Sequence, residues 1–589
     1  MSGEVSKGSP LAVLAGVAAF CGLVALVVLE KLWQAGAPEG FLRRPAQFVM
    51  DMNESEETFD VANPSVKKTF MKGLKERDWA LAGSGLAGDF LGRFPEPGAG
   101  TVVPDATMRI RKYGGEGLAD LGAGGFLAVL REYVGGWAVV ERTTWRPFEF
   151  LLEPSRKAAY VGLHFEVGGR KADGNRADLA ATLEGRLVTA DGKTWKIQRL
   201  ALVEGSFIDS PRPPWNDISD ETGFSLNESE ANRKLRLAMI DDRGITNSGG
   251  LTVADFNHDG FWDVLANVYQ GEVVLFLNDG RGGFVPGEPP VRVPADVGYT
   301  FLCADLDNDG VEEFVSGQIF GYRNGKAWAG LYVQRAGKWE ALPGVLEFDV
   351  PEGVRDIAVM GIVPADVDRD GNLDLFFCCY GNRDSKGSEF NRIDARDGAD
   401  NYLFMNHGGL KFTEESDRRG ITGTQYTYVA KWWDFDFDGD LDLFEGNDFG
   451  PNHLWVNDGK GHFADAKDHI FDAGSNYTMG ITIADWENDG TWGMYISNMY
   501  SHAGNRILPL AGGLSADMRA LVLSIAQGNQ FYECDPGTRR WSETGIARRV
   551  NWADWSWGSA FFDIDNDGDR DLYVVNGFTT NQDAQAPDY

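Results

Sequence analysis

Residues 366–374 read DVDRDGNLD, with acidic side chains at positions 1, 3, 5 and 9 and glycine at position 6. The pattern recurs five more times between residues 255 and 571, with small departures. In chain order the six stretches are DFNHDGFWD (255–263), DLDNDGVEE (305–313), DVDRDGNLD (366–374), DFDFDGDLD (434–442), DWENDGTWG (485–493) and DIDNDGDRD (563–571). A motif that returns at intervals of this length is typical of a repeat architecture, with one supersecondary unit for each copy.

The residue types at these positions are those of a calcium-binding loop. Calcium takes six to eight oxygen ligands, and side chains 1, 3 and 5 can surround one ion when glycine at position 6 lets the chain turn sharply. Position 7 offers only its backbone oxygen, so its side chain varies, and position 9 closes the site with a carboxylate. The fifth stretch has Glu487 at position 3 and Gly493 at position 9, so we expect it to bind calcium weakly or not at all.

Each stretch therefore supplies a set of predicted calcium ligands. The predicted ligands are Asp255, Asn257, Asp259, Phe261 and Asp263 in the first loop; Asp305, Asp307, Asp309, Val311 and Glu313 in the second; Asp366, Asp368, Asp370, Asn372 and Asp374 in the third; Asp434, Asp436, Asp438, Asp440 and Asp442 in the fourth; Asp485, Glu487 and Asp489 in the fifth; and Asp563, Asp565, Asp567, Asp569 and Asp571 in the sixth. The sequence thus predicts five calcium sites and a sixth, degenerate one at Asp485.

Two other structures could carry a similar pattern. An EF-hand loop has glutamate at position 12 and is followed by a helix. Position 12 here is Ala266, Ser316, Phe377, Glu445, Ile496 or Val574, so only one copy complies. Acidic turns that are solvated and bind no metal are the other alternative, and six copies in one register argue against it.

Strands are predicted on both sides of every loop. The predicted hairpins that come later in each unit are Leu275–Phe284, Leu331–Trp339, Leu403–Phe412, Leu454–Phe463 and Phe531–Trp541. Four antiparallel strands in a unit of about 50 residues form a propeller blade, so we predict a mainly β, calcium-binding β-propeller over residues 218–589. We expect an outer strand at Ile218–Phe224 to close the ring. A helix capped by Ser515 is predicted after the fifth loop.

The repeats resemble the FG-GAP/VCBS repeats of integrin α-subunit propellers. The second half is similar to bacterial proteins related to cartilage acidic protein, the UnbV/ASPIC group, in three stretches. They are GNDFGPN (446–452), SNMYSHAG (497–504) and the segment from Trp557-Gly558 through FDIDNDG (562–568) to Gly577. The resemblance implies seven blades, with six as the alternative because only six motifs occur. The further C-terminal domain that this group often carries is not expected in this sequence.

An apolar run of membrane length lies near the N-terminus. Residues 10–29 carry no charge, and twenty helical residues span about 30 Å, the thickness of the hydrocarbon core. We predict a transmembrane anchor over residues 10–30 behind a short tail at residues 1–9, with a removed signal peptide as the alternative. Residues 31–63 are polar and aperiodic, and they are predicted to be a linker.

A small α+β domain is predicted over residues 64–208. Ser65 is a candidate helix N-cap, a second helix surrounds Phe126–Leu130, and Tyr160–Val167 alternates as a half-buried strand does. Two helices followed by a curved antiparallel sheet resemble the SnoaL-like or cystatin-like fold, a group that contains both small-molecule enzymes and binding domains. The Pro-rich residues 209–217 are predicted to be a hinge between the domains.

Composition excludes several classes of function. The net charge of -33 argues against binding to nucleic acid, whose phosphates require Lys and Arg. The seven histidines form no HExxH pair, and no G-x-S-x-G motif or phosphate loop occurs, so the sequence predicts a protein that is not an enzyme. The five cysteines, an odd number, predict buried free thiols rather than a disulfide framework.

These observations predict a membrane-anchored, extracytoplasmic binding or adhesion module for a protein or a glycan. Calcium loops of moderate affinity fill at extracellular rather than cytosolic calcium concentrations. The ligand sets are nearly complete, which is typical of structural rather than catalytic ions. The predicted contact loops are residues 381–401, 447–453 and 498–505. The alternatives are an extracytoplasmic enzyme, either polysaccharide-active or with a small-molecule site in the α+β domain, and a subunit of an envelope complex.

Overall fold

The protein divides into two compact units. The computed structural model describes residues 41–104, 108–210, 218–226, 229–231, 233–234, 250–268, 272–290, 300–323, 325–350, 357–380, 398–466, 475–512, 514–564 and 566–576. Of these, residues 41–210 and the segment His502–Leu514 form the first unit, and the rest form the second. The predicted anchor at residues 10–30 lies outside the described residues. Within them, no helix is both long and apolar enough to cross a membrane.

Short helices occur in both units. They are α1 (Met52–Val66), which continues through a π-helical turn (Lys67–Met71) into α2 (Lys72–Glu76), α3 (Trp79–Ser84), α4 (Ala123–Val134), α5 (Ser219–Thr222), α6 (Ser416–Arg419), α7 (His502–Ile507), followed by a 3-10 turn (Leu508–Leu510), α8 (Ala516–Ala526) and α9 (Gly545–Arg548). The helix predicted around Phe126 is confirmed as α4. The predicted cap of the inserted helix is also confirmed, because the Ser515 side chain accepts a hydrogen bond from the Met518 backbone N–H (3.1 Å).

The first helix begins earlier than the sequence predicted. Asp51 is its N-cap and accepts a hydrogen bond from the backbone N–H of Glu54 (3.0 Å). Ser65, the predicted cap, lies inside α1 and donates to a carbonyl one turn earlier. Residues 52–63 of the predicted linker are therefore helical. The prediction failed because this stretch is polar on its outer face, and Phe59 is one of the few buried side chains that fix its inner face.

The first unit is built around one twisted sheet. Its strands are β1 (Leu86–Arg93), β2 (Thr101–Val103), β3 (Arg109–Gly114), β4 (Leu121–Gly122), β5 (Trp137–Leu152), β6 (Ala158–Lys171), β7 (Arg176–Thr189) and β8 (Trp195–Ser210). The order is β2-β3-β8-β7-β6-β5, with antiparallel neighbours, and β1 pairs in parallel with β8. One face packs against the helices in a core that contains Phe70, Phe126 and Phe165.

The other face of this sheet is covered as well, and the prediction of a half-buried strand is wrong there. Tyr160 and His164 are 2% and 8% exposed, although both lie opposite the main core. Leu42 and Leu151 pack with Tyr160 and with Leu510, which comes from the His502–Leu514 segment. Sequence periodicity could not indicate this cover because it comes from a distant part of the chain.

The second unit is a succession of antiparallel sheets, each formed by consecutive strands. Sheet 1 has β9 (Leu251–Ala254), β10 (Asp263–Val268), β11 (Glu272–Asn278) and β12 (Phe284–Gly287); sheet 2 has β13 (Phe301–Ala304), β14 (Glu313–Arg323), β15 (Lys326–Arg335), β16 (Lys338–Ala341) and β17 (Leu346–Asp349); sheet 3 has β18 (Ala358–Ala365), β19 (Asp374–Tyr380), β20 (Tyr402–Asn406) and β21 (Phe412–Glu414). All five predicted hairpins are present.

The later sheets follow the same scheme. Sheet 4 has β22 (Tyr426–Trp433), β23 (Asp442–Asp448), β25 (His453–Asn457) and β26 (Phe463–Asp465), with a small pair of β24 (Gly450–Pro451) and β27 (Ser475–Asn476) beside it; sheet 5 has β28 (Gly480–Asp485), β29 (Trp492–Ser497), β30 (Gln530–Cys534) and β31 (Trp541–Glu543); sheet 6 has β32 (Ser556–Phe562) and β33 (Asp571–Asn576). The first strands of consecutive sheets lie beside one another. This mainly β arrangement is consistent with a β-propeller-like fold.

The predicted outer strand at Ile218–Phe224 is wrong, since this stretch forms the helical turn α5. Gly223 has φ +74°, and the Phe224 ring packs 4.7 Å from that of Phe276 in sheet 1. The turn α6 makes an equivalent contact between sheets 3 and 4. A Cβ added at Gly223 would collide with the Phe284 carbonyl, as one at Gly420 would with the Phe463 carbonyl. The stretch thus has the position of a turn that follows an outer strand.

Candidate metal-binding loops

Each acidic stretch connects the first strand of a sheet to the second, and a strand follows all six. We call these loop 1 (255–263), loop 2 (305–313), loop 3 (366–374), loop 4 (434–442), loop 5 (485–493) and loop 6 (563–571). In loop 3, for example, Ala365 pairs with Asp374, so positions 1 and 9 lie at the base of the same turn. The strands exclude the EF-hand alternative, which requires a helix at this point.

The six loops share one backbone conformation. Position 6 is glycine with φ between +86° and +101° in every loop, as the sequence predicted. Position 1 holds this turn together: the Asp366 carboxylate accepts hydrogen bonds from the backbone N–H groups of Asp370 and Gly371, both at 3.0 Å. The same pair of bonds recurs in the other five loops.

In loops 1 to 4, position 9 is a buried carboxylate that ties its loop to the rest of the sheet. Asp374 is 1% exposed, and its oxygens accept from the backbone N–H groups of Val367 (3.1 Å) and Asn406 (2.8 Å). In the same way, the Asp442 carboxylate accepts hydrogen bonds from the backbone N–H groups of Phe435 and Asn457, both at 2.9 Å. Because each carboxylate oxygen has two lone pairs, these bonds leave acceptor capacity for a cation.

Loops 2, 3 and 4 gather carboxylate oxygens at one point. One oxygen from each of positions 1, 3 and 9 lies within 4.8 Å of the others, and in the described part of the chain these are the groups of three that could hold a metal. They are Asp305, Asp307 and Glu313; Asp366, Asp368 and Asp374; and Asp434, Asp436 and Asp442. The Oδ1 atoms of Asp307 and Asp368 are buried and have no hydrogen-bond partner. Such oxygens are suited to a hard cation.

The electrostatics of these loops also favour a bound cation. The pKa values of Glu313, Asp374 and Asp442 are raised to about 7, chiefly by burial. Backbone N–H bonds oppose this rise, and the neighbouring carboxylates of the same loop add to it. Burial and the adjacent acids also raise the pKa of Asp307 and Asp368. A divalent ion would offset both the burial and the repulsion.

Loop 1 differs from this geometry. Position 3 is Asn257, whose amide is used inside the loop: Nδ2 donates to the Asp259 carboxylate (2.9 Å) and Oδ1 accepts from the Asp259 backbone N–H (3.1 Å). Asp263 at position 9 is fully buried, as its counterparts in loops 2 to 4 nearly are. In loop 6, the predicted ligand Asp565 lies outside the described residues.

Loop 5 has an apolar group where a ligand would be. Position 9 is Gly493, and a Cβ added there would lie 2.7 Å from the Phe531 ring. The Arg548 guanidinium lies 5.0 Å from the centre of the Trp486 ring and pairs with Glu533 (2.6 Å). A side-chain cation therefore lies against the loop that lacks the closing carboxylate.

The side chain at position 2 anchors the loop in the core of its sheet, a role that the sequence analysis did not predict. Phe256, Leu306, Val367 and Phe435 occupy it in the first four loops, and all are buried in the cores of the sheets. Their apolar side chains anchor the loop while the odd positions carry oxygen. The signal was present in the sequence, since position 2 is apolar in all six copies.

A second missed set consists of buried asparagines that join neighbouring sheets, and we call them the clamp asparagines: Asn401, Asn452 and Asn529. Asn401 accepts from the Cys379 backbone N–H (2.8 Å) and donates to Thr427 Oγ1 of the next sheet (2.8 Å). Asn452 Oδ1 accepts a hydrogen bond from Thr478 Oγ1 (3.0 Å), and Asn529 Nδ2 donates one to Ser556 Oγ (3.1 Å). Each clamp asparagine directly precedes the third strand of its sheet, a placement that the sequence could have revealed.

These buried residues correct the predicted contact loops. Asn447, Asn452 and Asn498 are between 0% and 4% exposed, so their side chains do not form an exposed surface. Residues 502–505 of the third predicted contact loop belong to the first unit. Residues 381–397 of the first predicted contact loop lie outside the described residues.

Comparisons with known proteins identify the repeats. The FG-GAP-like repeat family matches residues 255–316 and 434–492. No curated protein matches the chain. The matches give no support for a relationship to the UnbV/ASPIC group.

Three solved structures show weak similarity to parts of the chain. A conserved protein from Planctomyces limnophilus is 14% identical over 24% of this chain and 94% of its own, with a TM-score of 0.19. An arginine triple mutant of AofleA from Arthrobotrys oligospora is 9% identical (62% and 92% covered, TM-score 0.23). The β-fructofuranosidase of Schwanniomyces occidentalis, complexed with fructosyl-erythritol, is 10% identical (62% and 67% covered, TM-score 0.24). At such low TM-scores none of these likenesses bears on function. The chain therefore carries FG-GAP-like repeats in a mainly β unit of successive antiparallel sheets.

Proposed function

We propose that this protein is an extracytoplasmic calcium-binding module that recognises a protein or a glycan through its propeller-like unit. Calcium has a structural role in this proposal: it holds the loop between the first two strands of a sheet. The ligand binds elsewhere on the same scaffold.

The observation that carries the calcium proposal is the grouping of carboxylate oxygens in loops 2, 3 and 4, within 4.8 Å of one another. The buried, unpartnered Oδ1 atoms of Asp307 and Asp368 lie in two of these groups. A buried carboxylate oxygen without a hydrogen-bond partner is destabilising, so a cation bound at these groups would stabilise the loops. Oxygen-only ligands at this spacing favour calcium over zinc or other metals that take nitrogen and sulfur.

The location follows from the metal. Cytosolic free calcium is too low to fill loops of moderate affinity, whereas extracellular modules use dissociation constants of about 10⁻⁴ to 10⁻³ M. We propose anchoring through residues 10–30, on the basis of their uncharged, membrane-length sequence. Kinship with the UnbV/ASPIC group, which rests on residues 446–452, 497–504 and 557–577, is likewise a proposal.

Calcium titration of the full chain tests the first part of the proposal. Thermal melting is followed at free calcium concentrations from an EGTA baseline to the millimolar range, with magnesium as the control ion. Because an ion that binds only the folded state raises its melting temperature, we expect a progressive rise of the second unit's transition with calcium and a smaller one with magnesium. A melting temperature that is the same in EGTA and in millimolar calcium contradicts the proposal.

Ligand recognition needs a separate experiment. The calcium-loaded chain is applied to a glycan array and to extracytoplasmic proteins from its source. Calcium-dependent capture of a defined glycan or protein supports a binding module. Turnover of a polysaccharide would favour the enzyme alternative, and recovery only as a stable complex of fixed composition would favour the envelope-complex alternative.

A further inference from the structure

Position 4 of every loop has a left-handed backbone although it is never glycine. The φ values are +58° at His258, +62° at Asn308, +60° at Arg369, +60° at Phe437, +54° at Asn488 and +60° at Asn566. This conformation is unfavourable for side chains other than glycine, and asparagine tolerates it best. Histidine, arginine and phenylalanine nevertheless occupy this position in loops 1, 3 and 4.

In three loops the position-4 side chain donates a hydrogen bond to the next loop in chain order. Asn308 of loop 2 donates through Nδ2 to the carbonyl of Gly371 in loop 3 (3.1 Å). Arg369 of loop 3 donates through Nη2 to the carbonyl of Gly439 in loop 4. Asn488 of loop 5 donates to the carbonyl of Gly568 in loop 6. The acceptor is the glycine at position 6 in each case.

The acceptor carbonyl belongs to the peptide unit that precedes the predicted position-7 ligand. In loop 3 the N–H of this unit, on Asn372, donates to the Asp370 carboxylate (2.8 Å). In loop 4 the corresponding bond, from Asp440 to Asp438, is 3.1 Å. The peptide plane is thus held from its own loop through the N–H and from the preceding loop through the carbonyl. Holding this plane restrains the orientation of the next carbonyl, which is the predicted calcium ligand.

We propose that Asn308 and Arg369 are positioning residues for the calcium site of the following loop, so that affinity in one loop depends on a side chain in the loop before it. The inference rests on the proposed calcium function. It links loops 2, 3 and 4 into one group.

The contact from position 4 to the next loop is missing in loops 1 and 4, where position 4 is histidine or phenylalanine. Phe437 of loop 4 has no side-chain donor, and its backbone carbonyl accepts instead from Arg539 (2.9 Å). His258 of loop 1 contacts Gln334 of β15 through Nε2 (2.7 Å) rather than loop 2. His258 therefore provides a matched control, with the same backbone conformation and a side chain that contacts a strand.

The test measures calcium-dependent protection of each loop separately. Hydrogen–deuterium exchange with mass spectrometry, on the full chain at a series of free calcium concentrations, gives a midpoint for each loop. In Asn308→Gly we expect the midpoint of loop 3 to rise about 3- to 10-fold, the effect of losing one hydrogen bond to a positioned peptide, while that of loop 2 changes less than about twofold. Glycine suits the left-handed backbone, so loop 2 keeps its shape.

Two further variants complete the test. Arg369→Gly is expected to raise the midpoint of loop 4 in the same way, and it replaces Asn308→Gly if that variant does not fold. His258→Gly is expected to change no midpoint outside loop 1. An unchanged midpoint in the following loop, with calcium protection otherwise intact, overturns the positioning role and leaves the calcium function standing. If no loop is protected by calcium in the wild-type chain, the proposed function itself is wrong.

Discussion

The acidic residues of one loop have different physical roles, although the sequence motif presents them as equivalent. Asp374 at position 9 accepts two backbone hydrogen bonds and is part of the folded scaffold. Asp368 at position 3 has a buried oxygen without a partner, and Arg419 is the cation nearest its other oxygen, at 3.6 Å. Position 9 therefore serves the fold and the metal, whereas position 3 serves mainly the metal.

This difference predicts opposite behaviour of two similar variants. Asp374→Asn places an amide NH₂ against backbone N–H donors and leaves one of them unsatisfied, so we expect a loss of about 1–3 kcal/mol in the free energy of unfolding even in EGTA. Asp368→Asn removes repulsion between neighbouring carboxylates, so its stability in EGTA is expected to be unchanged or higher, with a smaller rise on adding calcium. Chemical denaturation with and without calcium measures both. Equal destabilisation of the two variants in EGTA contradicts the division of roles.

Glu184 in the first unit predicts a pH effect. It is 7% exposed, and burial raises the pKa of its carboxyl, with a hydrogen bond to Tyr160 opposing the rise and the charge of Glu149 adding to it. The pKa of the Glu184 carboxyl is therefore higher in the folded than in the unfolded protein. Its contribution to the free energy of unfolding is fully present below the ordinary carboxyl pKa and is lost as pH rises through the folded-state pKa. The contribution of Glu184 to the stability of the first unit should therefore fall from about pH 4.5 upward.

Glu184→Gln removes this titration while an amide keeps a polar group beside Tyr160. We expect the variant to gain stability relative to wild type as pH increases from 5 to 8, measured by urea denaturation at each pH. Glu132→Gln, at an exposed position on α4, is the control and is expected to give the wild-type pH profile. A constant difference between Glu184→Gln and wild type across this range would show that Glu184 does not titrate there.

At the scale of elements, local chemistry was predictable and long-range contacts were not. The loop spacing, the glycines at position 6, the hairpins and the Ser515 cap depend on residues close in sequence, and the structure has them all. Ser65 was wrong as a cap because α1 continues through Pro64 from a start thirteen residues earlier. The position of the clamp asparagines before a strand is visible in the sequence, but their contacts to the next sheet are not, because those partners are distant in the chain.

The clamp asparagines predict that neighbouring sheets are held together by buried amides. Asn452 is 4% exposed; its Oδ1 accepts from the Asn447 backbone N–H (2.8 Å) and from Thr478 Oγ1 (3.0 Å). Asn452→Ala leaves both donors buried without an acceptor, so we expect a loss of about 2–4 kcal/mol in unfolding free energy. Ser542→Ala, at an exposed position in β31, is the control, with an expected change within about 0.5 kcal/mol. A loss at Asn452 as small as that of the control would show that water replaces the amide.

At the scale of the whole molecule, the first unit is completed by a segment from the repeat region. Arg506 of α7 is 8% exposed and forms two hydrogen bonds with Glu56 (2.9 and 2.7 Å), and its guanidinium lies 3.7 Å from the Phe59 ring centre. Arg506→Ala leaves Glu56 without its cation, and we expect the first unit to lose about 3 kcal/mol of stability. Faster hydrogen exchange in β5 and α1 is the measurement, since both lie against this arginine.

Two controls separate this contact from a general loss of charge. Lys193→Ala, in the exposed turn between β7 and β8, is expected to leave the exchange of β5 and α1 unchanged. The double variant Arg506→Met with Glu56→Gln restores an apolar contact to Phe59 without an unpaired charge, and it is expected to recover part of the loss. Exchange that is as slow in Arg506→Ala as in wild type would show that the His502–Leu514 segment does not stabilise the first unit.

That segment also sets an order of events during synthesis. Glu56 and Arg506 are 450 residues apart in the chain. A ribosome that adds about 5–20 residues per second needs roughly 20–90 s to travel between them. For that interval the nascent N-terminal sheet lacks the part of its cover that Leu510 and Arg506 supply, so its final packing waits for most of the polypeptide to emerge.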